Sequence, residues 1–505
     1  MNLLQKQGFY NSLILYAGTA LGFFNLILLF QRFLSIQEIG FFSLVIAIAT
    51  LYSQIASLGI ANVIIKYLPY YRSDDKKHGG FVSFVIVWSI IGFVVFTLLF
   101  LIFKDVIINQ YKAKLGASLL IKYFYYLIPL AFLTMVYGIL ESLAITVFKN
   151  VLSSFLREVI LRLFTLISVW LIAASIVNYH DFLNIYLAAN VVIILILFLN
   201  VYKGRQFKLA PISNELLLGK KEIINYGFFI VLSSSSFVMV QYLDIIMLSL
   251  LTKDSLKSVG IYTTFFSIAM VISLPAKALS RTSLQIIAQS WVLNDLAKIG
   301  KIYYKTSVVQ MLIGCLLFIG LVVNKQFIIV LLHKPEYADY YNVFIIVGLA
   351  FLVDMTGGLN GYIINLSKYY RLTTVFIISA VAFCVVSNWI LILQIGMMGA
   401  AVSYFLTIFI LNFSYCLFVK VKFGLLPFGI SHLWIIVISV ICLFIGWYLP
   451  KLDNMYMDTI YRSLIITLIY SISAYLFKVS EDINLVLDQI ILKGSMVVKK
   501  LFIFK

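Results

Sequence analysis

Chemistry in this chain would have to come from the few charges it keeps inside apolar sequence: Lys66, Glu141, Arg157, Glu158, Arg162, Asp244, Lys277, Arg281 and Asp354. A charge near the centre of a bilayer costs at least about 2.5–3.5 kcal/mol, so such residues tend to face a cavity, a partner or a substrate path. Asp244, in VMVQYLDIIMLSLL, lies deepest in its run and has no opposite charge within one turn. That suits a coupling-ion carboxylate or the partner of a cavity cation, with helix–helix pairing as the competing account. Lys277 and Arg281 are four residues apart in SLPAKALSRTSLQ and so share one helical face. Two like charges there repel unless an anion or a water-filled lumen accommodates them; snorkelling to the inner headgroups is the alternative. Pro275 just before them removes a backbone hydrogen bond and suits a moving gate. Lys66 closes the second apolar run, in GIANVIIKYLPYYRSDDKKHGG, three residues before Pro69, and snorkelling competes with function there too. Glu141 and Asp354 are candidate proton or cation sites or structural partners, Glu158 could neutralise Arg157 or Arg162, and Pro129 in LIPLAF predicts a kink. Gly18 and Gly22, like Gly357, Gly358 and Gly361, read as close helix approaches.

The elements that must hold these residues are membrane helices. The chain has 505 residues, 63% of them hydrophobic, 16% aromatic and only 11% charged, with a mean hydropathy of +1.05. Soluble domains do not have this composition. Apolar runs long enough to cross a hydrocarbon core of about 30 Å recur from end to end. We read fourteen spans, with twelve or thirteen as alternatives: 9–33, 40–65, 81–103, 119–147, 155–177, 182–201, 223–251, 259–287, 304–332, 341–366, 372–394, 397–419, 430–449 and 460–478. The first is too long for a signal-peptide core and is expected to stay in the mature chain. With both termini cytoplasmic, 27 of the 38 Lys and Arg residues fall on the inner side, as the positive-inside rule requires. The formal charge of +18 is therefore a topological signal, since no basic domain gathers it for nucleic acid.

Several function classes fall away. Cys315, Cys384, Cys416 and Cys442 all lie in apolar runs without metal or disulfide spacing. His78, His180, His333 and His432 stand alone at span ends, without a nucleophile or ligand partner. There is no phosphate-binding glycine loop and no outer loop long enough to carry a glycosyltransferase or polymerase site, so no cofactor is expected. Transport driven by a gradient or by substrate flux remains.

A shift of 220 residues lays IGFFSLVIAIATL (39–51) over VGIYTTFFSIAMV (259–271), with Gly40 on Gly260, Asp75 on Asp295 and Gly138 on Gly358. Constant offsets of this kind mark duplicated transporter halves. We expect two six-helix bundles, 1–202 and 223–420, joined by a basic cytoplasmic linker at 203–222. Two added spans in 421–478 and an amphipathic cytoplasmic tail at 479–505 complete the chain. The shift also carries Lys66 to position 286, five residues past Arg281, so each half would bring cations to the inner end of a central cavity.

A first span leading into RFLSIQEIGFFSLVIAIATLYSQIASLGIANVIIKYLP, the echo LKSVGIYTTFFSIAMVISLPAKALS, and about fourteen spans resemble a known family. It is the polysaccharide-transporter, or O-antigen flippase, branch of the multidrug/oligosaccharidyl-lipid/polysaccharide superfamily. The resemblance covers nearly the whole chain. It implies a two-lobed, V-shaped transporter of the bacterial inner membrane that moves an undecaprenyl-pyrophosphate-linked oligosaccharide to the outer leaflet, with a glycan polymerase and chain-length proteins as partners. A cationic lumen for the pyrophosphate carries over to Lys277, Arg281 and Lys66, and less securely to Arg32 at the outer end of span one. Proton or sodium antiport carries over to Asp244. The competing expectation is a cation-coupled small-molecule exporter of the same superfamily, for which two extra spans and a cationic inner cavity are unsuited.

Overall fold

The computed structural model describes residues 3–72, 77–112, 114–115, 118–146, 150–203, 208–485 and 488, and among these it is all helix and turn, without strand. The main helices are α1 (Leu3–Phe23), α2 (Ile36–Ala56), α3 (Ile60–Tyr67), α4 (Phe81–Ile102), α5 (Leu127–Thr146), α6 (Leu161–Ala173), α7 (Tyr179–Lys203) and α8 (Asn214–Leu251). They continue as α9 (Ser255–Met270), α10 (Leu274–Val292), α11 (Leu296–Val323), α12 (Tyr341–Gly357), α13 (Asn360–Asn365), α14 (Tyr370–Ile395), α15 (Met397–Phe423), α16 (Ile430–Tyr448) and α17 (Met455–Leu476).

Twelve helical segments among the described residues are long and apolar enough to cross a membrane. Two of the fourteen expected spans are not among them, and the reason is local. The 155–177 span carries Arg157, Glu158 and Arg162 and is interrupted by a π-helical turn, Leu156–Ile160. The 223–251 span belongs to the 38-residue α8, in which Val238–Leu251 is a shorter apolar stretch among the described residues.

Helix ends follow the sequence chemistry. Ser35 and Glu38 form a reciprocal cap, Glu38 Oε2 accepting from the Ser35 N–H at 2.7 Å, and so start α2 four residues before the expected position 40. The expected continuous run 40–65 breaks instead at Leu58–Gly59, where Gly59 takes a left-handed φ of 75° that a glycine adopts without strain. Lys66 therefore rides on the separate short helix α3. Pro129 lies in the first turn of α5, after a 3₁₀ turn at Phe124–Tyr126. Its missing N–H is one that no intrahelical carbonyl would have accepted, so the position marks a helix start where a kink was expected. Pro275 similarly begins α10 after a 3₁₀ turn at Val271–Ser273 that interrupts the expected 259–287 span.

Two compact units divide the chain: 1–264 with 377–403, and 265–376 with 404–505. In the first, α3, α4, α5 and α7 bury a core that includes Ile64, Phe81, Leu140 and Leu197. In the second, α11 packs against α16 and α17 around Ile319, Ile435 and Ile466. There Arg462 ties the α16–α17 hairpin together, taking Asp458 at 2.8 Å and donating to the Gly446 and Leu449 carbonyls at 2.7 and 2.9 Å. The tail expected at 479–505 falls mostly outside the described residues, as do 204–207 of the linker and Asp75.

Candidate functional site

In the second unit, α11, α12, α15 and α16 enclose an apolar cavity of about 810 Å³. One stripe of α15 supplies a wall: Phe405, Phe409, Phe413 and Leu417 recur at helical spacing, with Asn412 in the middle and Lys420 one turn beyond Leu417. Phe409, Phe413 and Leu417 are 46%, 59% and 50% exposed, so the wall continues onto an exposed apolar flank of α15.

Asn412 also reaches away from the cavity. Its amide donates to Asp354 Oδ1 at 3.1 Å and to the Ile408 carbonyl at 3.1 Å, and its oxygen accepts from Asn360 Nδ2 at 2.9 Å. It thus uses both donors and its acceptor. The network sits where α12 ends and α13 begins, a break made by Gly358 with φ 64° and ψ −114°. A Cβ on Gly357 would overlap the Asn412 carbonyl oxygen, so the amide lies directly on the end of α12. Lys277 is exposed near the start of α10. Position 281 follows one turn further along the same helix, and the Arg281 side chain lies outside the described residues.

The first unit holds the remaining predicted residues. Asp244 is fully buried on α8 and accepts from Tyr262 Oη at 2.8 Å, Asn388 Nδ2 at 2.7 Å and, more distantly, Cys384 Sγ at 3.7 Å. Asn388 Oδ1 is buried beside it without a hydrogen-bond partner. A carboxylate next to an orphaned amide oxygen is an acceptor-rich pocket that a proton or a cation would complete. Glu141 approaches Arg157 at 3.8 Å, and Arg157 also lies over the Tyr137 ring. Arg162 is held more firmly, by Glu158 at 2.7 Å and by the Gly18 carbonyl. Lys66 is exposed on α3, with its Nζ 3.7 Å from the centre of the Tyr226 ring. Arg32 ends span one against Phe33.

Among the named residues the structure brings together Glu158 with Arg162 and, more loosely, Glu141 with Arg157. The sequence reading missed Asn360, Asn388, Asn412 and Tyr262 because it searched apolar runs for charge alone. A buried amide needs partners for the same reason that a buried charge does, so an Asn inside an apolar run was the available signal.

Twelve apolar helices of membrane-crossing length among the described residues, with a carboxylate buried between them and an apolar cavity in one unit, define a polytopic membrane protein. Residues 4–282 match the family described as polysaccharide biosynthesis protein, and the chain belongs to that family. Sequence comparison with curated proteins finds no match. Among solved structures, the fold is similar to the lipid II flippase MurJ in an inward closed conformation, with a TM-score of 0.74 and 16% identity over 92% of this chain and 98% of that one. It is also similar to an inward-facing multidrug resistance MATE family transporter, with a TM-score of 0.63 and 14% identity over 80% of this chain and 94% of that one.

Proposed function

We propose that the protein is a flippase that moves a polyprenyl-pyrophosphate-linked oligosaccharide, a repeat unit of O-antigen, capsule or exopolysaccharide, from the inner to the outer leaflet by alternating access. The observation that carries this reading is the 810 Å³ apolar cavity. Its wall runs onto the lipid-facing flank along α15, and it ends at a lysine. A polyprenyl chain is the part of such a substrate that needs an apolar channel within the membrane, and a pyrophosphate needs cationic donors close to one. Lys277 and Arg281 would receive the pyrophosphate, with Lys66 and Arg32 as further cations on its route. The Asp244 pocket would take the coupling proton or sodium ion, and Glu141 and Asp354 would balance the cations. Pro275 would let α10 move as the gate. The protein would sit in a bacterial inner membrane with both termini cytoplasmic. A small-molecule exporter of the same superfamily would leave the cavity and its lysine without a use.

The test is flipping of an undecaprenyl-pyrophosphate oligosaccharide in proteoliposomes, with wild type beside Lys277→Ala/Arg281→Ala. Flipping by wild type alone is the expected result. Flipping by both would discard the cationic site, and flipping by neither, with folded protein, would discard the function.

A further inference from the structure

A second cavity lies within the first unit, where α2, α5 and α7 meet the π-helical turn Leu156–Ile160. Its volume is about 60 Å³, and Arg157 lines it together with Thr50, Thr134, Tyr137, Tyr186 and Asn190. We propose that this pocket binds a hydroxy-carboxylate, with the carboxylate on Arg157 and a nearby ligand hydroxyl on the acceptors around it. The inference rests on the flippase reading for one point only, that the ligand is an acidic sugar of the transported head. A free hydroxy-acid carries the same chemistry.

Arg157 supplies the charge. Among the described residues its guanidinium makes no hydrogen bond: Glu141 Oε2 lies 3.8 Å from Nη1, beyond bonding range, and the centre of the Tyr137 ring is 5.4 Å from the guanidinium carbon. A fork of donors facing a pocket matches a carboxylate, which accepts two parallel N–H bonds. Glu141 approaches one terminal nitrogen and leaves the fork's other donors to a ligand. A cation held this way within a membrane helix bundle is poorly compensated until an anion arrives. The π-helical turn that carries it belongs to a class of turns found frequently at functional sites.

The rest of the wall selects what accompanies the carboxylate. Thr50 Oγ1 donates to the Ile46 carbonyl at 2.7 Å, Thr134 Oγ1 to the Leu130 carbonyl at 2.8 Å, and Tyr137 Oη to the Ser153 carbonyl. Their protons are engaged and oxygen lone pairs remain. Asn190 gives an amide N–H to the Tyr186 carbonyl at 2.8 Å and keeps its own oxygen as an acceptor. A halide would meet lone pairs at this rim, whereas a ligand hydroxyl finds partners for its proton. At about 60 Å³ the pocket is far smaller than the roughly 300–1,000 Å³ that encloses a whole ligand, so it takes one edge of a sugar. A purely structural Arg157 and Glu141 pair would show no selectivity between these ligands.

The experiment measures binding to the full-length protein in nanodiscs of zwitterionic lipid, with D-glucuronate, acetate, D-glucose and chloride as probes. Glucuronate should bind with a Kd on the order of 1 mM and at least about ten-fold more tightly than acetate. Glucose and chloride should not compete. Arg157→Gln should abolish glucuronate binding. Thr134→Val, which keeps the shape and removes one acceptor, should narrow the preference over acetate and leave acetate affinity unchanged. Glu141→Gln, which removes the competing carboxylate, should tighten glucuronate binding. If Arg157→Gln fails to fold, Thr134→Val decides. Failure of glucuronate to bind, equal affinity for acetate, or binding that survives Arg157→Gln would overturn the site. The source of the carboxylate is read in proteoliposomes, from flipping of a polyprenyl-pyrophosphate oligosaccharide that ends in a uronic acid beside one that ends in the corresponding neutral sugar. Faster flipping of the acidic form by wild type, with the advantage lost in Arg157→Gln, would place the ligand on the substrate. Equal flipping of the two would assign the pocket to a free hydroxy-acid and leave the flippase reading standing. Flipping of neither, by protein that still binds glucuronate, would discard the flippase reading and keep the site.

Discussion

Gly40 and Gly260 stand against each other where α2 crosses α9. A Cβ on Gly40 would overlap the Leu256 carbonyl oxygen, and a Cβ on Gly260 would overlap that of Ile36. Ile36 and Leu256 are themselves 220 residues apart, as Gly40 and Gly260 are, so the contact maps onto itself under the internal repeat. Lipid tails are as apolar as helix surfaces, so close backbone approach of this kind supplies packing that the hydrophobic effect does not.

Gly40→Ala and Gly260→Ala should each push the crossing apart, at a cost of about 1–3 kcal/mol typical of overpacking. The double variant should lose less than the sum, because the first methyl group already makes room for the second. Thermal unfolding of the four proteins in one detergent checks both statements. Strict additivity would show that the two glycines do not share one crossing.

Much of the fold was legible because long apolar runs have few alternatives in a membrane, and Gly40 and Gly260, aligned by the 220-residue shift, meet at one crossing. Gly138 and Gly358, aligned by the same shift, behave differently. Gly138 has open space where a Cβ would go, whereas Gly358 makes the break after α12. The interruption at Leu58–Gly59 was hidden because a glycine in an apolar run reads equally as a packing contact. The grouping of 377–403 with the N-terminal unit was hidden because it depends on contacts far apart in sequence, which a basic linker at 203–222 does not report. At the site, charges were found and their amide partners were not. Asp244 and Asp354 were chosen from sequence, but Asn388 and Asn412 decide what surrounds them.

Arg157 and Arg162 look alike in sequence and should behave differently. Arg162 Nη2 meets Glu158 at 2.7 Å, its other terminal nitrogen donates to the Gly18 carbonyl, and its own carbonyl accepts from Asn25 Nδ2 at 2.8 Å. Arg162→Ala leaves Glu158 without its partner and the Gly18 carbonyl without a side-chain donor, so folded yield should fall sharply. Arg157 makes only a loose approach to Glu141 at 3.8 Å and a ring contact with Tyr137. Neither contact has the geometry of a close ion pair, so Arg157→Ala should purify like wild type. Comparing monodisperse yield after gel filtration separates the two.

Lys66 should tolerate arginine better than methionine. Its ammonium lies over the Tyr226 ring at 3.7 Å, and Tyr67 beside it donates to Glu222 at 3.3 Å. A guanidinium keeps the attraction to the ring face, and a thioether gives it up, at about 0.5–2 kcal/mol. Tyr226→Leu should therefore destabilise wild type but add little to Lys66→Met. A double-mutant cycle on unfolding temperature reads the coupling, and a coupling of zero would make Lys66 a free surface cation.

Asp244 gives the sharpest distinction between holding the fold and carrying an ion. In Asp244→Ala, the Asn388 amide and the Tyr262 hydroxyl each lose a buried acceptor, and every buried group left unsatisfied costs about 1–3 kcal/mol. Asp244→Asn differs. Its carbonyl can still accept from Tyr262, and its new amide would at first face the Asn388 amide, donor against donor. Rotating Asn388 by half a turn presents Oδ1, the oxygen now buried without a partner, and restores the bond. The asparagine variant should thus unfold within a few degrees of wild type, whereas the alanine variant should be clearly less stable. If the carboxylate carries the driving ion, Asp244→Asn should still bind pyrophosphate and polyprenol, but its flipping rate should no longer respond to an imposed proton or sodium gradient. A stable asparagine variant that keeps the full gradient response would assign Asp244 to the fold alone.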